Sequence, residues 1–241
     1  ERFDVLYNFN DYPIDMPVRL RYRGKRVYGS YICELDDPPG RCFVKRTWRI
    51  GKELVNQRQW HAAMANVPID SEYPPIAKRF LLDRSIELPT GYPMIAMHAG
   101  SGGGNAKCMP VELFYGVAEL LNRNGYRVVV LGNCEHDREA ARECEKGHLE
   151  ILNLVDKTSF KQLPGVLSRC KAFFGTDSAI RHVAVGCGVK SWAIFTAAAA
   201  KSCGAYSGHQ DITPNVACTP CWDLPRDEGT PMFDCVWAGP M

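Results

Sequence analysis

Two short stretches hold most of the side chains able to handle a phosphorylated ligand. The first is His98-Ala99-Gly100-Ser101-Gly102-Gly103-Gly104-Asn105-Ala106-Lys107. Its glycines let backbone N–H groups approach an anion, Ser101 adds a hydroxyl, and Lys107 adds an ammonium. It lacks the Gly-Lys-Ser/Thr of a P-loop and is not Gly-x-Gly-x-x-Gly, so by itself it reads equally as a flexible strand-to-helix connection. The second is Gly175-Thr176-Asp177-Ser178-Ala179-Ile180-Arg181-His182. Asp177 there has two readings. It can be a helix N-cap, or a carboxylate accepting from sugar hydroxyls beside helix N–H groups that meet a diphosphate. His182, one turn on and on the face of Ser178, reads first as a packing histidine.

A third group is Cys218-Thr219-Pro220-Cys221 with Cys235. Cys-x-x-Cys is the usual half of a tetrahedral thiolate site for zinc or iron. Three thiols leave such a site one ligand short. Cys203 or a residue beyond Met241 would be the fourth, and free or disulfide-forming thiols are the alternative. A metal held here would staple a loop; no cofactor is expected in the catalysis itself.

Alternating elements must position the two loops. Met94–His98 reads as a buried strand, and Pro110 opens a helix with Leu113, Phe114, Val117, Leu120 and Leu121 on one face, stopped by Gly125. Arg127–Leu131 is a strand, Glu135–Lys146 a polar helix, and Leu149–Val155 a strand. A helix capped by Ser159 then runs toward Cys170, Ala172–Phe174 is a strand, a helix capped at Asp177 or Ser178 runs to Val185, and Lys190–Phe195 is a strand. Continuous apolar strands alternating with helices predict a parallel sheet covered on both faces, an α/β Rossmann-like domain. Ligands of such sheets bind beyond the carboxyl ends of the strands, where both loops fall. The earlier residues predict strands at Phe3–Phe9 and Arg26–Tyr31, helix at Trp48–Ala65 and Ala77–Leu82, and a link at Leu88–Gly91. The expected division is 1–88, a partial second Rossmann-like domain, and 89–241, the nucleotide-binding domain with a Cys-rich C-terminal loop.

Composition narrows the class further. The 241 residues are 46% hydrophobic and 23% charged, which suits a globular core and not a disordered chain. Lys and Arg number 29 against 27 Asp and Glu, so no basic surface points to nucleic acid. The longest apolar run, Trp192–Ala200, is too short for a membrane span. Eight of the eleven cysteines (33, 42, 108, 134, 144, 170, 187 and 203) have no framework spacing, which suits reduced thiols in a cytoplasm. The chain starts on Glu1, already in a strand, and is read as a piece of a longer protein.

In order and spacing, Ile95–Ser101 with Lys107 and Pro110, Leu131-Gly132 with Glu135, Lys157–Ser159, and Gly175–Ser178 with His182 and Ala184 resemble glycosyltransferase family 9. That family is typified by ADP-heptose:lipopolysaccharide heptosyltransferases. The tail cysteines are similar to those of its autotransporter-modifying branch, which carries Cys-ligated iron. The resemblance implies GT-B architecture, two facing Rossmann-like domains, and an inverting transfer of a heptose-type sugar from an ADP-sugar to a glycan or protein hydroxyl, as in lipopolysaccharide biosynthesis. It implies that Lys107 stabilises the leaving diphosphate as the catalytic cation, with Ser101 and Gly102 beside it. It further implies Glu135 at the ribose or base, Asp177 on the sugar hydroxyls, Ser178 and Ala179 near the phosphates, and His182 supporting that loop. The family's catalytic aspartate belongs to a region expected to be missing here. Three residues depart from the pattern: Cys108-Met109 before Pro110, Ala179 for a glycine, and Arg181 beside His182. The other reading carried forward is a non-catalytic nucleotide-binding or metal-thiolate scaffold derived from that fold. The resemblance implies a cytoplasmic protein, with attachment at the inner membrane face and homo-oligomerisation left open.

Overall fold

The computed structural model describes residues 76–101, 107–215 and 219–220, together with the backbone of four strands in the first 54 residues. The chain divides into two compact units, Glu1–Ser71 and Glu72–Met241.

In the first unit, strands β1 (Arg2–Asn8) and β2 (Arg23–Gly29) pair in parallel. β2 thus begins three residues ahead of the expected strand. β3 (Arg49–Ile50) and β4 (Glu53–Leu54) form an antiparallel pair. This corrects the start of the helix expected at Trp48–Ala65. The pairing of Ile50 with Glu53 leaves a two-residue link containing Gly51, which favours a hairpin over a continuing helix. The remainder of that expected helix, from residue 55, lies outside the described residues.

The second unit opens with the short helix α1 (Lys78–Leu81), followed by β5 (Met94–His98), α2 (Val111–Arg123), β6 (Arg127–Val130), α3 (Glu135–Lys146) and β7 (Ile151–Asn153). It continues with α4 (Leu163–Leu167), β8 (Ala172–Thr176), α5 (Ala179–Gly186), β9 (Ser191–Ile194), α6 (Ala200–Cys203) and β10 (Gln210–Ile212). Among the described residues, six strands pair in the order β10-β9-β8-β5-β6-β7, and every pairing is parallel. The chain therefore winds outward from β5 through β6 to β7, crosses back to β8 on the other side of β5, and winds outward again. β5 and β8 flank the point where the winding reverses, the place at which doubly wound sheets bind ligands.

The strand sequences explain burial on both faces. Side chains alternate along a strand, so Met94 and Ala96 join Val129, Leu131, Phe173 and Leu167 on one face. Ile95 and Met97 join Val128, Val130, Phe114 and Ala118 on the other. A strand apolar at every position can be buried only where helices cover both faces. The face of α2 differs from the expected one. Phe114 and Ala118 are fully buried, whereas Leu113 and Leu120 are 45% and 60% exposed. At 100° per residue a stripe through Phe114, Ala118 and Leu121 turns the other two leucines to its edge.

The parallel register brings the strand ends level: His98 of β5 pairs with Gly175 of β8, and Met97 pairs with Val130 of β6. The turns leaving β5, β6 and β8 thus open at one height along the sheet.

Candidate active site at the strand ends

The turn after β5 is held by a residue of a different element. Asp137, in the first turn of α3, is fully buried. Its carboxylate accepts hydrogen bonds from the backbone N–H of Ala99 (3.2 Å) and Gly100 (2.8 Å) after β5. It also accepts from Asn133 (3.0 Å) and Cys134 (3.1 Å) after β6, and from the Cys134 thiol (3.1 Å). Glycine is required on both sides of it. A Cβ on Gly100 would lie 2.8 Å from one carboxylate oxygen and would collide with Cys134 Sγ. Gly132, at φ +139°, would drive its Cβ into the same carboxylate.

The turn after β8 is tied to the same place. Thr176 Oγ1 donates to the Gly100 carbonyl (2.5 Å) and meets His98 Nδ1 at 3.3 Å, and His98 Nε2 lies 3.5 Å from Asp137. All of these groups are buried. Three strand ends are thereby joined by one polar network, in which every bond is strengthened by the exclusion of water.

On this frame the ammonium of Lys107 forms an ion pair with the carboxylate of Asp177. Their side chains are only 13% and 5% exposed. Lys107 closes the turn from β5 and Asp177 follows β8, so the contact spans the reversal point of the sheet. Asp177 is not the cap of α5. That position is Ser178, whose side chain makes no capping bond and whose Oγ is buried without a partner among the described residues. The bland reading of Asp177 as a helix cap is therefore set aside.

The other expected residues fall as follows. Ser101 lies on the β5 turn, half-buried, while Gly102 lies outside the described residues. Ala179, exposed at the first position of α5, turns its methyl away from the packed interior. His182 sits one turn along α5, where Tyr206 OH contacts its Nδ1 at 2.5 Å. Glu135 stands at the start of α3 but is exposed, and its carboxylate takes the guanidinium groups of Arg142 (2.8 Å) and Arg138 (3.2 Å). Those bonds, Arg142 first, hold its carboxyl below the usual range. Cys218, Cys221 and Cys235 lie outside the described residues. Among the described residues no three His, Cys, Asp or Glu side chains are grouped to hold a metal. No helix among them is long and apolar enough to cross a membrane.

Sequence reasoning missed Asp137 and Tyr206. Asp137 had a local signal, because it stands three residues after Cys134, the spacing at which an acidic side chain reaches back to the N-cap N–H. Tyr206 had none: it lies in a loop and meets the site only through the fold.

The paired cation and carboxylate thus stand at the switch point of a parallel α/β sheet, where such sheets bind ligands. Comparison with known proteins narrows this. The sequence model of glycosyltransferase family 9 (heptosyltransferase) matches residues 21–229, and the chain belongs to that family. It is 26% identical over 183 residues to lipopolysaccharide heptosyltransferase 2 of Salmonella typhimurium, covering 70% of this chain and 51% of that protein. The chain thus spans about half the length of that curated relative. A family 9 glycosyltransferase of Veillonella parvula superposes with a TM-score of 0.57 at 20% identity, over 72% of this chain and 53% of its own. TibC, a dodecameric iron-containing heptosyltransferase solved with ADP-D-beta-D-heptose, gives a TM-score of 0.56 at 14% identity, over 92% of this chain and 65% of its own. The solved structures share the GT-B fold with this chain.

The geometry makes two predictions about stability. Replacing Asp137 by alanine strands two buried and two part-buried N–H donors, so Asp137→Ala should cost about 3–5 kcal/mol in a denaturant titration. A loss below about 1 kcal/mol would show that the frame does not depend on it. The second concerns pH. Burial lowers the pKa of His98, His182 and His209 below the ordinary 6.5. Asp137 opposes this at His98, and Asp177 opposes it at His182. The unfolded chain therefore takes up these protons first. Stability is complete above about pH 6.5 and falls as pH drops from there through the folded-state values. Calorimetric melting temperatures should decline between about pH 7 and pH 5, before most carboxylates titrate. A flat profile over that window would contradict this.

Proposed function

We propose that the chain is the donor-binding part of an inverting glycosyltransferase that moves a heptose-type sugar from an ADP-sugar to a glycan or protein hydroxyl. The observation that carries this is the Lys107–Asp177 pair at the switch point of the sheet. A lysine ammonium has three N–H donors, so Lys107 can keep Asp177 and still donate to a diphosphate. The acceptor oxygen attacks the anomeric carbon, the bond to the diphosphate breaks, and the negative charge that develops on ADP falls beside Lys107. Asp177, an acceptor only, orients the sugar through its hydroxyls. Ser101, Gly102, Ser178 and Ala179 line the diphosphate, Glu135 lies toward the ribose or base, and His182 supports the sugar side. Membership of family 9 supports this reading, as does the ADP-heptose held by TibC.

The first unit is assigned to the acceptor side and the part from residue 89 onward to the donor. A cytoplasmic location follows from a nucleotide-sugar donor. Cys218, Cys221 and Cys235 are assigned to a structural iron or zinc, supported by the Cys-x-x-Cys spacing and by the iron of TibC. They take no part in the transfer.

Calorimetric titration with ADP and with ADP-heptose tests the donor assignment. Both ligands should saturate the protein. Lys107→Ala should weaken both by about 10- to 100-fold, the worth of one charge-assisted hydrogen bond. Asp177→Ala should weaken ADP-heptose more than ADP. Absence of saturable binding, or binding indifferent to both changes, would overturn the assignment.

A further inference from the structure

The loop between β9 and β10 carries one residue into the site. Tyr206 OH lies 2.5 Å from His182 Nδ1, and the two rings meet edge to face with centroids 5.7 Å apart. The residue before it, Ala205, has φ +58°, in the left-handed region that alanine avoids. Such a conformation persists only where its surroundings over-determine it. Here they do. The Ala205 N–H donates to Asp211 Oδ2 (2.6 Å) on β10, and the other Asp211 oxygen pairs with the guanidinium of Arg181. Arg181 is fully buried, stacked 5.0 Å over the Tyr206 ring and 5.0 Å over the Phe195 ring. Arg181 adjoins His182 on α5, so the contacts close a ring: α5, Asp211, Ala205, Tyr206 and back to α5. The outcome of the strained turn is a phenol set on the imidazole.

We propose that Tyr206 is a positioning residue for His182: its phenol donates to Nδ1, holds the imidazole as the Nε2–H tautomer, and thereby presents an N–H to the sugar end of the donor. Asp177 acts on this ring as well, opposed there by Arg181 and Lys107. A phenol is the better donor and an unprotonated imidazole nitrogen the better acceptor, so the bond runs from Tyr206 to Nδ1. Selectivity for the sugar-bearing donor over the bare nucleoside diphosphate follows. The tautomer stands on the contacts above; the selectivity rests on the donor reading of the preceding section.

Tyr206→Phe removes one oxygen and keeps the ring over Arg181. Imidazole nitrogen NMR of the unliganded protein should show His182 as the Nε2–H tautomer in the wild type and as a mixture in Tyr206→Phe. In calorimetry the variant should bind ADP-heptose about fivefold more weakly, with ADP within about twofold and an unchanged melting temperature. In a His182→Gln background the same change should have no further effect on the ratio of the two affinities. An unchanged tautomer together with an unchanged ratio would overturn the proposal. So would an equal loss for both ligands with a lowered melting temperature, which would make Tyr206 only a brace of its loop. If the wild type bound neither ligand, the donor reading would fail and the selectivity with it, while the NMR comparison would still decide the tautomer.

Discussion

The buried carboxylate of Asp137 is the contact on which the site's geometry depends. Four backbone N–H groups from the turns after β5 and β6 converge on it, and Thr176 ties the turn after β8 to the carbonyl of Gly100, one of those four. Turns at strand ends are ordinarily the softest parts of an α/β domain, because their backbone groups lack ladder partners. Here those groups are satisfied inside the protein. The requirement for glycine at 100 and 132 is the same constraint seen from the other side, since any side chain there would displace the carboxylate.

A rigid frame matters because the Lys107–Asp177 pair joins residues 70 positions apart through side chains that are almost buried. Such a pair gains little net stability, because the cost of removing two charges from water offsets their attraction. Its value lies in placement. A lysine ammonium is a compact cation on a flexible stem, and a fixed carboxylate beside it restricts where that charge can stand. The pair therefore fixes one positive charge at the switch point of the sheet.

The chain is a member of family 9. The relatives share about half of their length or somewhat more with the chain, at identities between 14% and 26%. Arg181, a buried charge beside His182 on α5, pairs with Asp211 and lies over two aromatic rings. It is packed into the loop that carries Tyr206.

Much of the second unit was legible in the residues themselves. Strands with unbroken apolar runs, such as Met94–Met97, can be satisfied only by a sheet covered on both faces, and the glycine-rich and Asp177 turns follow such strands closely. That both turns could meet an anion was readable from residue chemistry. Which strands lie side by side was not, because β5 and β8 pair although β6 and β7 intervene along the chain, and such adjacency has no local signature. The same is true of Asp137, whose spacing from Cys134 shows a helix start but not that two other N–H groups come from a different turn. Glu135, two residues earlier and expected at the ribose or base, is held by arginines at the surface. Along one stretch, sequence determines side-chain type, periodicity and the ends of elements. Only the tertiary structure decides which charges become neighbours, because contacts at a switch point join segments that share nothing along the chain.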